Sequence, residues 1–203
     1  MAPELSLSVQ YGVDEPRLPR WRLRRWAERA LAAAAEDGLV DFTAAELSLR
    51  LVGAAEGRRL NRDFRQRDYA TNVLTFEYGV DPLGMARGDI VMCVPVLVRE
   101  AREQRKALLD HAAHLTLHGV LHSLGYDHIK ARDARRMEAL ETATLARMGI
   151  ADPYTAACPG GLGSTLSNRR KMASSKAQIA SVGPILGGDV TNRAPDSVML
   201  APP

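Results

Sequence analysis

Cysteine is scarce in this chain: Cys93 and Cys158 are the only two, too few for the disulfide framework of a small secreted domain. Cys93 lies in the apolar run IVMCV at 90–94, where a free thiol behaves as a small core residue rather than a ligand. Long apolar runs are missing too; none approaches the roughly 18 residues that a bilayer-crossing helix needs. The opening MAPELSLSVQYG has no basic flank leading into an apolar stretch, so a secretory signal is not expected. The cytoplasm is the expected compartment, with no membrane partner. A strong charge is absent as well. The formal net charge is +3 over 203 residues, and it sits at one end. Beyond residue 154 stand Arg169, Arg170, Lys171, Lys176 and Arg193, against Asp189 and Asp196. The tail thus carries the whole excess and the first 154 residues balance. Net charge therefore gives no argument for a nucleic-acid partner; any footprint must be a local patch.

What is present describes a soluble globular protein. Hydrophobic residues make up 46% and charged residues 25%, ordinary values for one domain with an appendage. Residues 21–38, WRLRRWAERALAAAAEDG, read as a helix, because the alanine run favours it and Gly38 suits the left-handed position past its end. The basic residues at 17–29 then form its wet face. Leu47, Leu49 and Leu51 alternate with Glu46, Ser48 and Arg50, the pattern of a strand with one buried face. A short helix is expected over 54–64, strands at 72–78 (NVLTFEY) and 88–94 (GDIVMCV), and a turn at DPLG. Pro95 fits the first position of a helix reaching to about Leu109. A buried helix follows over 107–125 and an amphipathic one over 131–148. Residues 155–203 are dense in Gly, Pro, Ser and Ala. They cannot bury enough apolar surface to offset chain entropy and are expected to be disordered.

All five histidines, His111, His114, His118, His122 and His128, fall within one short stretch. For His111 and His114 a solvated or core-facing stripe is explanation enough. His118 and His122 are one helical turn apart, so their imidazoles reach a common point. Gly125 lets the chain leave the helix, and His128 returns from another side. Three ligands from different directions with a fourth position open is the plan of a catalytic zinc site. HGVLHSLGYDH also places its histidines and glycine as the metzincin signature H-E-x-x-H-x-x-G-x-x-H does, with Gly119 where the glutamate belongs. The metal cage is kept and the general base of peptide hydrolysis is gone. A zinc ion supplies hydroxide near neutral pH without a strong protein base. Asp127, close by, can serve as a base, orient a ligand imidazole or cap the last helix.

Upstream, Arg58, Arg59, Arg62, Arg65 and Arg67 crowd around Asp63 and Asp68. A solvated helix end with ion pairs accounts for such a cluster. It leads, however, into a strand able to flank the metal helix, and the arginine fork suits a phosphodiester.

HGVLHSLGYDH, with DYATNVLTF and GDIVMCVPVLVREA in that order, resembles the YbeY-type endoribonucleases, a family of rRNA maturation factors, over about residues 5–154. The resemblance implies a single α+β domain, 1–154, whose small mixed four-stranded sheet is packed by helices, with the metal site on a central buried helix. It implies one zinc ion held by His118, His122 and His128, and it places the family's motif arginine at Arg65. The implied activity is cleavage of single-stranded RNA in maturation of the 16S rRNA 3′ end and in ribosome quality control. The expected partners are rRNA and the small ribosomal subunit; DNA is not expected. Thr75 and Glu77 stand where many members have Ser and Pro, and the tail lies outside the resemblance. Two other functions fit the same residues: a ribosome-assembly binding factor with a structural zinc, and a zinc-dependent protease.

Overall fold

The computed structural model describes residues 3–127 and 130–155. The expected third ligand His128 and nearly all of the expected tail lie outside these residues. The chain forms β1 (Glu4–Tyr11), α1 (Arg20–Asp37), β2 (Ala44–Val52), α2 (Ala54–Arg65), β3 (Val73–Val80), β4 (Met85–Cys93), α3 (Val94–Glu103), α4 (Leu108–Ser123) and α5 (Ala131–Arg147). One four-stranded sheet has the order β1-β2-β4-β3. β1 and β4 both run parallel to β2, and β3 is antiparallel to β4. This is the expected mixed α+β architecture.

Strand β1 was not among the strands expected. Its pattern was legible, since Leu5, Leu7 and Val9 alternate with Ser6, Ser8 and Gln10. Pairing of Leu7 with Leu47 and Val9 with Leu49 puts the apolar set of both strands on one face. Leu49 in turn pairs with Ile90, and Ile90 with Thr75. That face carries α1, α4 and α5 on a core that includes Leu23, Leu31, Leu49, Ile90, Leu117 and Leu145. Each such side chain contributes about 1.5–3 kcal/mol by leaving water. The opposite face buries Val52, Leu74, Phe76, Val91 and Cys93 under α2. Phe64 of α2 meets the ring of Phe76 edge-on at 5.1 Å. β4 is thus covered on both sides, which is why its run reads as continuously apolar.

The helix ends follow local chemistry. Gly38 adopts φ 67° and its N–H bonds the Ala34 carbonyl at 3.1 Å, as a left-handed glycine cap does. Cys93 is buried, as expected. The helix begun at Val94 and Pro95 stops at Glu103, short of Leu109. Arg105 turns into the left-handed region at φ 53°, and the chain reverses so that α3 can pack on α4. No glycine or proline marks this break.

Candidate metal centre

α4 is enclosed by β3, β4, α1, α3 and α5, so its histidines are core residues. His111, His114 and His118 are 1%, 2% and 4% exposed, and His122 is half-buried. The sheet side of α4 is built from small residues. A Cβ on Gly119 would come within 2.8 Å of Ile90 Cγ2, and one on Gly88 of β4 within 2.4 Å of Ser123 Cβ. Thr116 donates to the Ala112 carbonyl at 2.8 Å and lies against Met92 Sδ. Gly119 therefore faces the sheet, and the missing glutamate of the protease signature has a packing reason as well as a chemical one. At the end of the helix Gly125 takes φ 90°, the exit expected there, where only glycine is unstrained. Tyr126 next to it donates its hydroxyl to Asp37 at 2.6 Å, pinning the exit to α1.

On the side of α4 that meets α5, the rings of His118 and His122 lie 4.5 Å apart at 78°. Behind them sits Glu141 of α5, 0% exposed. Its Oε1 accepts from His118 Nδ1 at 2.8 Å, and its Oε2 is 3.2 Å from His114 Nε2. Tyr154 also donates its hydroxyl to Oε2. Burial pushes the Glu141 carboxyl up, but the His118 and His114 interactions outweigh it and hold the group well below the carboxylate range. Burial and the Glu141 charge raise the Tyr154 phenol, which stays protonated and donating. Burial lowers His114, with Glu141 opposing, so that imidazole is neutral.

A second carboxylate–imidazole pair ties the strand to the same helix. Glu100 of α3 lies 3.1 Å from His111 Nε2 and accepts from Asn72 Nδ2 at 2.9 Å. Asn72 Oδ1 accepts the Val73 N–H at 2.7 Å. The Thr71–Asn72 pair thus fastens the start of β3 to α3 and α4, and Thr75 lies on the sheet face that α4 covers.

The arginine cluster divides. Arg58 forms a two-pronged pair with Asp68 and Arg62 pairs with Asp63, all exposed; these are the solvated ion pairs that accounted for the cluster. Arg65, the last residue of α2, is half-buried, and its buried Nη2 has no partner among the described residues. Burial lowers its guanidinium, with Tyr69 opposing and Arg67 adding to the effect. α2 and α4 lie on opposite faces, with edge strand β3 between them. His118 and His122 are brought together, and Arg65 ends the helix that leads into edge strand β3. Asp127 does not occupy the cap of α5; that position is Lys130.

The donor set fits a metal. With Nδ1–H of His118 donating to a carboxylate, Nε2 is the nitrogen left to offer a lone pair, the arrangement in which histidine ligates zinc. A different grouping is also possible: His114, His118 and Glu141 offer ligand atoms within 4.8 Å of one another and could hold an ion themselves. Neither Glu141, a residue of the amphipathic α5, nor Tyr154 was singled out from the sequence, because the one signal they carry is three-dimensional. For His114 a solvated or core-facing place was expected; it lies in the core, bonded to Glu141.

Imidazoles on a buried helix, with a carboxylate behind them and a mixed sheet beneath, define an α+β protein with a candidate metal centre. The chain belongs to the endoribonuclease YbeY family, whose description "Endoribonuclease YbeY" matches residues 10–149. A protein of that name from Bordetella avium (strain 197N) is 79% identical over 152 residues, covering 75% of this chain and 94% of the relative. One from Acidovorax sp. (strain JS42) is 51% identical over 160 residues, covering 75% and 97%. The solution structure of TM1509 from Thermotoga maritima aligns with 77% of this chain and 99% of its own at a TM-score of 0.47 and 23% identity. No helix among the described residues is long and apolar enough to cross a membrane.

Proposed function

We propose that this chain is a zinc-dependent endoribonuclease of single-stranded RNA, acting in maturation of the 16S rRNA 3′ end and in ribosome quality control in the cytoplasm, in contact with the small ribosomal subunit. Residues 1–154 form the catalytic domain and 155–203 an appendage. The observation that carries the reading is the His118 ring, held at Nδ1 by Glu141 and set 4.5 Å from the His122 ring. His118, His122 and His128 hold the ion. When bound, the ion supplies an activated water and a positive charge at the scissile phosphate. The chain supplies the rest. Glu141 orients a ligand, Thr71 to Thr75 at the entry to β3 line the groove, and Arg65 offers its unpartnered donor to the phosphate oxygens, where charge develops. Gly119, turned to Ile90, leaves no carboxylate at the position of a protease base, so peptide hydrolysis is disfavoured.

The test is cleavage mapping on precursor rRNA with metal-stripped, zinc-restored and His118→Ala protein. Stripping and His118→Ala should each remove cleavage, and zinc should restore it to the stripped wild type alone. Cutting at the wild-type rate by stripped protein, with contaminating nuclease excluded, would sink the proposal. The buried His114–His118–Glu141 group favours one second reading, an assembly factor with a structural metal. Metal-edge absorption separates the two, because a closed shell of four protein ligands belongs to the structural site.

A further inference from the structure

We infer that Glu141 is a positioning residue for the metal centre: clamped by Tyr154 and His114, it holds His118 in the tautomer and orientation that direct Nε2 at the ion. The inference rests on the proposed ligation by His118. It assigns the His114–His118–Glu141 group to the support of the cage and not to the cage itself.

The reasons are geometric. The carboxylate is fully buried and receives three neighbours on two oxygens, His118 on Oε1 and His114 and Tyr154 on Oε2. An ion among these atoms would have to displace the contacts that now satisfy them. Taking a carboxylate out of water costs several kcal/mol, and such clusters are weak stabilisers even when fully paired. One bond, however, does something that an apolar filling could not do: an ionised carboxylate at 2.8 Å can only accept a hydrogen bond, so the donated proton sits on Nδ1 of His118. The lone pair is then on Nε2, and the ring plane is set by α5.

The clamp extends further. Tyr154 lies past the end of α5, in a turn fastened at three points. Asp152 Oδ1 accepts from the Tyr154 N–H at 2.9 Å and from the Thr142 hydroxyl at 3.3 Å, and Lys106 donates to the Pro153 carbonyl at 2.6 Å. The Tyr154 ring stacks edge-on against His114 at 5.5 Å. Glu141 therefore cannot swing away from His118 without breaking the Tyr154 bond. The segment after α5 thereby governs a ring on α4.

Zinc affinity is measured by competition with a chromophoric chelator on the full chain, and the His118 tautomer by nitrogen–proton correlation NMR on metal-free protein. Wild type should show the Nδ1–H form. Glu141→Gln should weaken zinc binding about 10–100-fold, the usual cost of losing an outer-shell partner, and shift His118 toward a mixture of tautomers. Tyr154→Phe, which leaves every other bond of the carboxylate in place, should lower affinity in the same direction by about tenfold or less. It keeps the test alive if Glu141→Gln does not fold. His118→Ala isolates the underlying reading: zinc bound as in wild type would overturn ligation by His118 and this inference with it. If His118→Ala loses zinc while Glu141→Gln and Tyr154→Phe keep wild-type affinity and tautomer, the positioning role alone is overturned. A carboxylate oxygen of Glu141 in the first coordination shell, seen as loss of that oxygen from the metal-edge spectrum in Glu141→Gln, overturns it in favour of a metal held by the buried group.

Discussion

Arg65 is costly to the fold, and the proposed function gives that cost a use. A buried donor with no partner costs about 1–3 kcal/mol, and Nη2 of Arg65 is such a donor. Its neighbours Arg58 and Arg62 are paired and exposed, so the fold has a use for charge there that does not require burying it. Replacing Arg65 with Met should leave the denaturant midpoint near wild type or raise it, since the unpaired charge is removed and the stem kept. Single-turnover RNA cleavage should fall about 10²–10³-fold. A collapse of stability with cleavage per folded molecule unchanged would make Arg65 structural. Glu100 behaves in the opposite way. Burial raises its carboxyl, but hydrogen bonds from His111 and Asn72 outweigh that and lower it from 4.5. A carboxyl lowered on folding contributes stability that is complete above the unfolded value and is lost as pH falls below it. Glu100→Gln should therefore flatten the stability loss below about pH 4.5, read as the urea midpoint against pH. An acid limb as steep as wild type would show that this pair contributes nothing.

Among the elements, α4 matters most, and its height above the sheet is set by hydrogen atoms. Gly88 and Gly119 each admit a close neighbour where a methyl would meet Ser123 or the Ile90 side chain. Gly88→Ala should cost about 1–3 kcal/mol by overpacking and should weaken zinc binding in parallel, because lifting α4 moves His118 off Glu141. Gly119→Ala is subtler, since alanine gains about 1 kcal/mol of helix propensity over glycine. Its net cost should shrink in an Ile90→Ala background, a coupling that a double-mutant cycle measures; strict additivity would mean that the predicted clash is relieved elsewhere. The strands and most helices were legible because their signals are local. The alternation Leu47–Leu49–Leu51 and the Gly38 cap needed no knowledge of the rest of the chain. The break between α3 and α4 was not legible, because residues 104–107 contain no glycine or proline and the reversal is imposed by packing.

For the whole molecule, the segment 155–203, proposed above to be an appendage, is the one to remove. The expected boundary places 155–203 outside the folded unit, yet Tyr154 immediately before it reaches Glu141. A chain ending at Thr155 should keep the melting temperature and zinc affinity of the full chain, measured by calorimetry and chelator competition. One ending at Ala151 removes Asp152, Pro153 and Tyr154 and should lose zinc affinity. Equal affinity in both would release the site from its C-terminal anchor.

Short spacings along the chain encode the part of the site that any reader of the residues can find. One helical turn between His118 and His122 puts two imidazoles on one side of a helix, Gly125 permits the exit, and Gly119 denies the protease its base. Those follow from 3.6 residues per turn and the missing Cβ of glycine, and they hold in any fold that keeps the helix. Which nitrogen of His118 carries its proton follows from packing between distant segments. That depends on Glu141, on another helix 23 residues further along the chain, and on Tyr154 behind it. Burial turns an ordinary carboxylate into a fixed acceptor, because in a dry interior a charge must hold every donor within reach.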